Sequence, residues 1–177
     1  MRLFIAINLS ENIKDELEKT VTRLKAETKR GSFTRRENFH ITMLFLGEVD
    51  TSKVNNIKQA MEDVQADPLE INLSSLGYFK RNEGDICWIG VHKNEVLNDI
   101  YEQLYNRLTQ AGFSLEARQF KPHLTIGRRV IANHGFDSAS FSQSIPSMKM
   151  TINKISLMKS ERINEKLTYT EIYARDL

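Results

Sequence analysis

Two short segments hold the residues best suited to chemistry. The first reads Phe39-His40-Ile41-Thr42-Met43-Leu44-Phe45-Leu46-Gly47. The second, far along the chain, reads Pro122-His123-Leu124-Thr125-Ile126-Gly127-Arg128. Each is a His-x-Thr inside an apolar, β-prone run. A neutral imidazole takes a proton near neutral pH and an imidazolium returns one. A threonine hydroxyl two residues on can donate to an anionic oxygen. Two such pairs facing one another would supply a base, an acid and two oxyanion donors. That set suits in-line attack at phosphorus, where one oxygen loses a proton as another gains one on leaving, and no metal is needed if protein donors carry the charge. A single His-x-Thr is ordinarily just a half-buried strand histidine. Two copies in matching surroundings make the chemical reading the stronger one.

Successive strand side chains point to opposite faces. His40 and Thr42 therefore share one face, as do His123 and Thr125. Ile41, Met43 and Phe45 are expected to point the other way into a core, with Leu124 and Ile126. Arg128 falls on the opposite parity from His123, so it reaches a phosphate beside His123 only where the strand ends or bends.

The elements that must position these strands follow in order. Arg2 to Leu9 is a short Ile- and Phe-rich run, a buried strand. Ser10 stands at an N-cap position before a helix with Ile13, Leu17, Val21 and Leu24 on one face. Lys29 and Arg30 are expected near that helix's C-terminus, with Gly31 ending it in the left-handed conformation. After the first motif, Thr51 or Ser52 can cap a helix with Val54, Ile57, Met61 and Val64 inside, broken at Asp67-Pro68. Leu69, Ile71 and Leu73 alternate with polar residues in a strand reaching toward Phe79. A polar turn, Lys80 to Asp85, then leads to a strand from Ile86 to Val91. Asn94 opens a third helix with Val96, Ile100, Leu104 and Leu108 on one stripe, ended by Gly112. The irregular segment after Arg128 admits a short helix over 138–143. Met148 to Lys159 and Leu167 to Ala174 are two further strands, forming an antiparallel hairpin around Arg162-Ile163-Asn164-Glu165. The order strand, helix, motif strand, helix, strand thus occurs nearly twice, over residues 1–80 and 84–177, with each histidine on the third element of its repeat.

With 177 residues, the chain suits one domain or two small lobes sharing a core. The net charge of +2 is compatible with a phosphate-bearing ligand but far from the footprint of a nonspecific duplex binder. Cys87 is the one cysteine, which excludes an intrachain disulfide and a cysteine-rich zinc site; it reads as a small buried hydrophobe. No signal-peptide core or long apolar span appears, so a cytoplasmic location is expected. Neither His92, at a strand end, nor His134, beside Gly135, has metal-ligand spacing with its neighbours, and there is no His-Glu-x-x-His.

The double motif and its flanks resemble the two-histidine phosphoesterase superfamily. More closely, the chain resembles the RNA 2',3'-cyclic phosphodiesterases, also called 2'-5' RNA ligases or the LigT/ThpR family. The resemblance is carried by Arg2-Leu3-Phe4-Ile5-Ala6-Ile7, by Arg36-Glu37-Asn38-Phe39-His40-Ile41-Thr42 and by Phe45-Leu46-Gly47-Glu48-Val49. It continues through Trp88-Ile89-Gly90-Val91 and Lys121-Pro122-His123-Leu124-Thr125-Ile126-Gly127-Arg128. Met43 stands where the family usually has leucine, and Ile126-Gly127 where it usually has Leu-Ala. The resemblance implies an α+β, bilobal LigT-like fold: a duplicated β-α-β-α-β unit, largely antiparallel sheets around a central cleft, and helices outside. It implies a substrate RNA ending in a 2',3'-cyclic phosphate, opened to a 2'-phosphomonoester without metal or cofactor. His40 would be the proton donor, His123 the proton acceptor, and Thr42, Thr125 and Arg128 the phosphate holders. Sequence physics alone does not order the two histidines.

The rim residues Arg35, Arg36, Lys80, Arg81, Lys121 and Arg129 are candidates to hold an RNA backbone, although a solvated charge is the commoner fate of each. Phe4, Tyr78, Phe79 and Trp88 are candidates for base stacking; for Phe4, Phe79 and Trp88 core packing is the favoured role. The same site would allow the reverse reaction, 2'-5' joining, or action on a small cyclic nucleotide. Readings of another class are a non-catalytic RNA-end-binding module and a metalloprotein using the two histidines, which lacks further ligands. A monomer with no membrane partner is expected.

Overall fold

The computed structural model describes residues 1–117 and 119–177. In chain order the elements are β1 (Arg2–Asn8), α1 (Glu11–Ala26), β2 (Thr28–Phe33), β3 (His40–Glu48), α2 (Val54–Glu62), β4 (Leu69–Phe79) and β5 (Asp85–Val91). There follow α3 (Glu95–Gln110), β6 (His123–Ala132), α4 (Ser138–Gln143), β7 (Met148–Ile152), β8 (Lys154–Ile163) and β9 (Lys166–Asp176). The strands make two antiparallel sheets, one ordered β3-β1-β8-β9 and the other β2-β6-β5-β4-β7. This is the expected α+β class, with a motif strand in each sheet. Each sheet draws strands from both halves of the chain, so the two halves are interlocked.

The helices form where an apolar stripe can be buried. Ile13, Leu17, Val21 and Leu24 of α1, Ile57, Ala60 and Met61 of α2, and Leu97, Ile100, Leu104 and Leu108 of α3 all enter one core. The Asn94 side chain accepts from the Leu97 N–H at 2.9 Å and starts α3 as expected. Cys87 is fully buried, and burial with the nearby Asp85 charge pushes its thiol up to about 12. Among the described residues no helix is long and apolar enough to cross a membrane.

Three expectations are corrected. Helix α1 stops at Ala26, and Lys29, Arg30 and Gly31 lie in β2, paired with β6. Gly31 serves packing there, since a Cβ would stand 3.0 Å from Val130. The run 148–159 is two strands: β7 pairs with β4, whereas β8 crosses to the other sheet and pairs with β1 and β9. Asp50 caps the 3-10 turn Thr51–Lys53 that leads into α2, its carboxylate accepting from the Ser52 N–H at 2.8 Å, so Thr51 and Ser52 lie inside that turn; α2 ends at Glu62, before Asp67-Pro68.

Trp88, the only tryptophan, lies across Gly77 on the neighbouring strand. A Cβ on Gly77 would fall 2.1 Å from an indole carbon, so the missing side chain is what seats the ring. Gly77→Ala should displace the indole, shift its fluorescence to longer wavelength and cost about 1–3 kcal/mol in urea unfolding. An unchanged spectrum and midpoint would refute this seating.

Candidate active site

Both motif strands carry a bulge immediately after the threonine. On β1, Ala6 faces Thr42 and the next residue inward, Ile5, faces Leu44, so Met43 is the extra residue. On β5, Trp88 faces Thr125 and Cys87 faces Gly127, so Ile126 is the extra residue. A bulge puts two successive residues on the same side and reverses strand parity beyond it. Met43 and Leu44 are therefore both buried, as are Ile126 and Gly127. The next residue in each copy emerges on the histidine face: Phe45 from β3 and Arg128 from β6. The bend that Arg128 required is thus present. Phe45, expected in the core, is instead 46% exposed and stacks on Phe4 with ring centroids 6.0 Å apart.

The two histidines are oriented by the same device. The Nδ1 of His40 lies 2.8 Å from the Asn38 carbonyl, and the Nδ1 of His123 lies 2.6 Å from the Lys121 carbonyl. A carbonyl can only accept, so each Nδ1 carries the hydrogen and proton exchange falls to Nε2. The Nε2 of His40 stands 3.0 Å from Thr42 Oγ1, so in the neutral state the hydroxyl donates to it. Aromatic rings wall both imidazoles. His40 has Phe4 and Tyr169 at 5.0 Å each, and His123 has Phe79 at 5.0 Å and Trp88 at 5.8 Å.

The two strands are tied together at the sheet junction. Thr34, on the connection from β2 to β3, donates its N–H to the Ile126 carbonyl and its hydroxyl to the Thr125 carbonyl, both at 2.9 Å. Burial lowers the His40 pKa, the hydrogen bond to Asn38 opposes this, and the charges of Arg128 and His123 lower it further. His40, His123 and Arg128 thus share one electrostatic field, although they come from two sheets.

The remaining candidates separate. Lys121 sits over Trp88, its Nζ 4.6 Å from the ring centroid, beside the His123 wall. Arg36 is held by Glu11, Asp15 and Glu18 of α1 at 2.7, 2.6 and 3.3 Å, and so braces the turn before β3. Arg35 pairs with Glu37 at 2.7 Å and donates to the Leu167 carbonyl. Phe4 is buried beneath His40 and offers no open face. Tyr78 packs on the main core with its hydroxyl buried, and burial raises its pKa; it lies away from the His123 wall that Phe79 builds. Tyr169 and Phe45 join the site without a signal in the sequence. Tyr169 carries no motif, and a bulge has no spacing signature that would bring Phe45 round to the histidine face. Among the described residues no group of three or more His, Cys, Asp or Glu could hold a metal ion.

Comparison with known proteins bears on this arrangement. A family model described as the 2'-5' RNA ligase superfamily matches residues 13–164. A Methanocaldococcus jannaschii protein named RNA 2',3'-cyclic phosphodiesterase is 40% identical over 129 residues, 72% of this chain and 71% of its own. A Thermotoga maritima protein of the same name is 37% identical over 131 residues, 72% and 70% of the two chains. The chain belongs to the 2'-5' RNA ligase superfamily. Its fold agrees: Escherichia coli LigT, crystallised with 3'-AMP, superposes with a TM-score of 0.83 over 99% of this chain and 97% of that one, at 22% identity.

In this member of the 2'-5' RNA ligase superfamily, the shared field gives a direct test. In the free protein His40 should titrate below its ordinary value of 6.5 in imidazole NMR. Because the unfolded chain then binds the proton more readily, stability held above that value is lost as pH falls through the lowered folded pKa. Arg128→Ala should raise the His40 pKa, since removing a nearby positive charge favours protonation. A titration unmoved by that substitution would place Arg128 outside the field of His40.

Proposed function

We propose that the chain opens RNA 2',3'-cyclic phosphate ends to 2'-phosphomonoesters, with His123 as base, His40 as acid and no metal. Nε2 of His123 takes a proton from water, the water oxygen bonds to phosphorus, the P–O3' bond breaks, and Nε2 of His40 gives its proton to O3'. The products are a 2'-phosphate and a free 3'-hydroxyl, and the proton on His123 returns to solvent. Thr42, Thr125 and Arg128 hold the non-bridging oxygens as charge builds on them. The observation that carries this reading is the matched orientation of the two imidazoles, each with Nδ1 committed to the carbonyl two residues before it. The names of the relatives supply the substrate.

The acid role of His40 needs a source of protonation, because its pKa in the free protein is lowered. An arriving phosphodiester anion supplies it by offsetting the positive charge of Arg128, while His123 enters neutral as the base. The protein then takes up a proton as it binds, and His40 enters the reaction charged. The same geometry run backwards joins a cyclic end to a hydroxyl, so ligation is the reverse of this step and needs no second site. The working form is a monomer acting on RNA ends in the cytoplasm, where the thiol of Cys87 stays reduced.

A short RNA ending in a 2',3'-cyclic phosphate, incubated with excess EDTA, should be converted to the 2'-phosphate. His40→Ala and His123→Ala should each lower kcat by about 100-fold or more. Loss of wild-type turnover in EDTA, restored by a divalent ion, would defeat the metal-free mechanism. Retained binding without turnover by wild type would favour an end-binding module.

A further inference from the structure

Beside the site runs a groove that the chemistry above does not use. Two adjoining hollows share Ser32, Asn82, Glu83 and Arg129; Arg30 lines one, and Lys80, Arg81 and Arg128 line the other. It starts at Arg128 and passes between β2 and the turn joining β4 to β5. Among the described residues Lys80 is neutralised by Asp85 at 2.6 Å, whereas Arg30, Arg81, Arg128 and Arg129 have no carboxylate partner. Along the two hollows these four guanidinium groups outnumber the one carboxylate that lines both, Glu83, and an anion offsets the excess positive charge.

The groove is also held in shape. Arg129 adopts φ +52 within β6, a conformation that a non-glycine residue keeps only where its surroundings impose it. Gly84 of the β4–β5 turn, at φ +116, lies so close that a Cβ would stand 2.7 Å from the Arg129 carbonyl carbon. The turn therefore clamps the strand beside Arg128, and Arg81 and Arg129 line the same hollow.

We infer that this groove is the subsite for the backbone phosphates of the nucleotides upstream of the cyclic end, held by Arg30, Arg81 and Arg129. The inference rests on the cyclic phosphodiesterase reading and extends it. Single-stranded RNA fits better than a duplex because these arginines lie along one groove that adjoins Arg128. Arg128 is the junction, contacting the reacting phosphate on one side and lining the track on the other.

The experiment measures kcat/KM for a tetraribonucleotide ending in a 2',3'-cyclic phosphate and for 2',3'-cyclic AMP, across a salt series. Wild type should prefer the tetranucleotide by about tenfold or more, with a preference that falls as salt rises. The double substitution Arg30→Ala/Arg81→Ala should remove most of that preference and flatten the log–log salt slope by about 0.7 for each phosphate no longer neutralised. Arg30→Lys/Arg81→Lys should restore much of both, which separates the removal of charge from misfolding. Turnover of both substrates, with the same ratio and slope in wild type and double variant, would overturn the groove assignment alone. Turnover of neither substrate by wild type would overturn the phosphodiesterase reading and the groove with it.

Discussion

The extra residue in each motif strand is the constraint on which the site depends. A regular strand would put His123 and Arg128 on opposite faces, one toward the ligand and one into the core. Ile126 interrupts that alternation, and the strand delivers imidazole, hydroxyl and guanidinium to one surface. Met43 does the same in β3, where the residue brought round is Phe45. The bulges are stabilised by what they bury. Two apolar side chains, Met43 and Leu44, enter the core in succession, and in the second copy Ile126 is followed by Gly127, where a Cβ would meet Val130 at 2.9 Å. The usual family alanine is absent there because Val130 and Phe33 fill its space.

The two copies are alike in backbone and unlike in charge. Each imidazole is fixed by a carbonyl two residues earlier and walled by two aromatic rings. Beyond the bulge one copy offers an aromatic ring and the other a cation. Positive charge is therefore concentrated on the β6 side, where Arg128 opens onto the groove, while the β3 side is apolar, with Phe4, Ala6 and Met158 beneath Tyr169. Burial lowers the His40 pKa in the free protein, and that asymmetry lowers it further.

Interlocking of the halves makes this arrangement rigid. β2 leaves the first half of the chain to pair with β6, and β8 leaves the second half to pair with β1, carrying β9 on its other edge. Neither motif strand belongs to a unit that could swing away alone. Thr34 ties the approach to β3 directly onto the carbonyls of Thr125 and Ile126. Site geometry in two-sheet proteins is best held by strands rather than loops, and here both histidines are strand residues.

The sequence by itself determined the element types, the shared face of each His-x-Thr, the capping of α3 and the chemistry the pairs can perform. These follow from local periodicity and residue type, which need no knowledge of the remainder of the chain. Local pattern alone makes Gly31 a helix stop, runs β7 and β8 together, and sends Phe45 into the core. Each error has one cause: the deciding partner is distant in sequence. β2 exists because β6 offers an edge, the break at Asn153 exists because two sheets compete for one run, and the bulges exist because β1 and β5 dictate the register. Tertiary structure alone decided that Arg128 comes round to the histidine face, that Arg36 is held by carboxylates of α1, and that four arginines share a groove. Such facts depend on strand register and on which charges find partners in space, and spacing along one chain encodes neither.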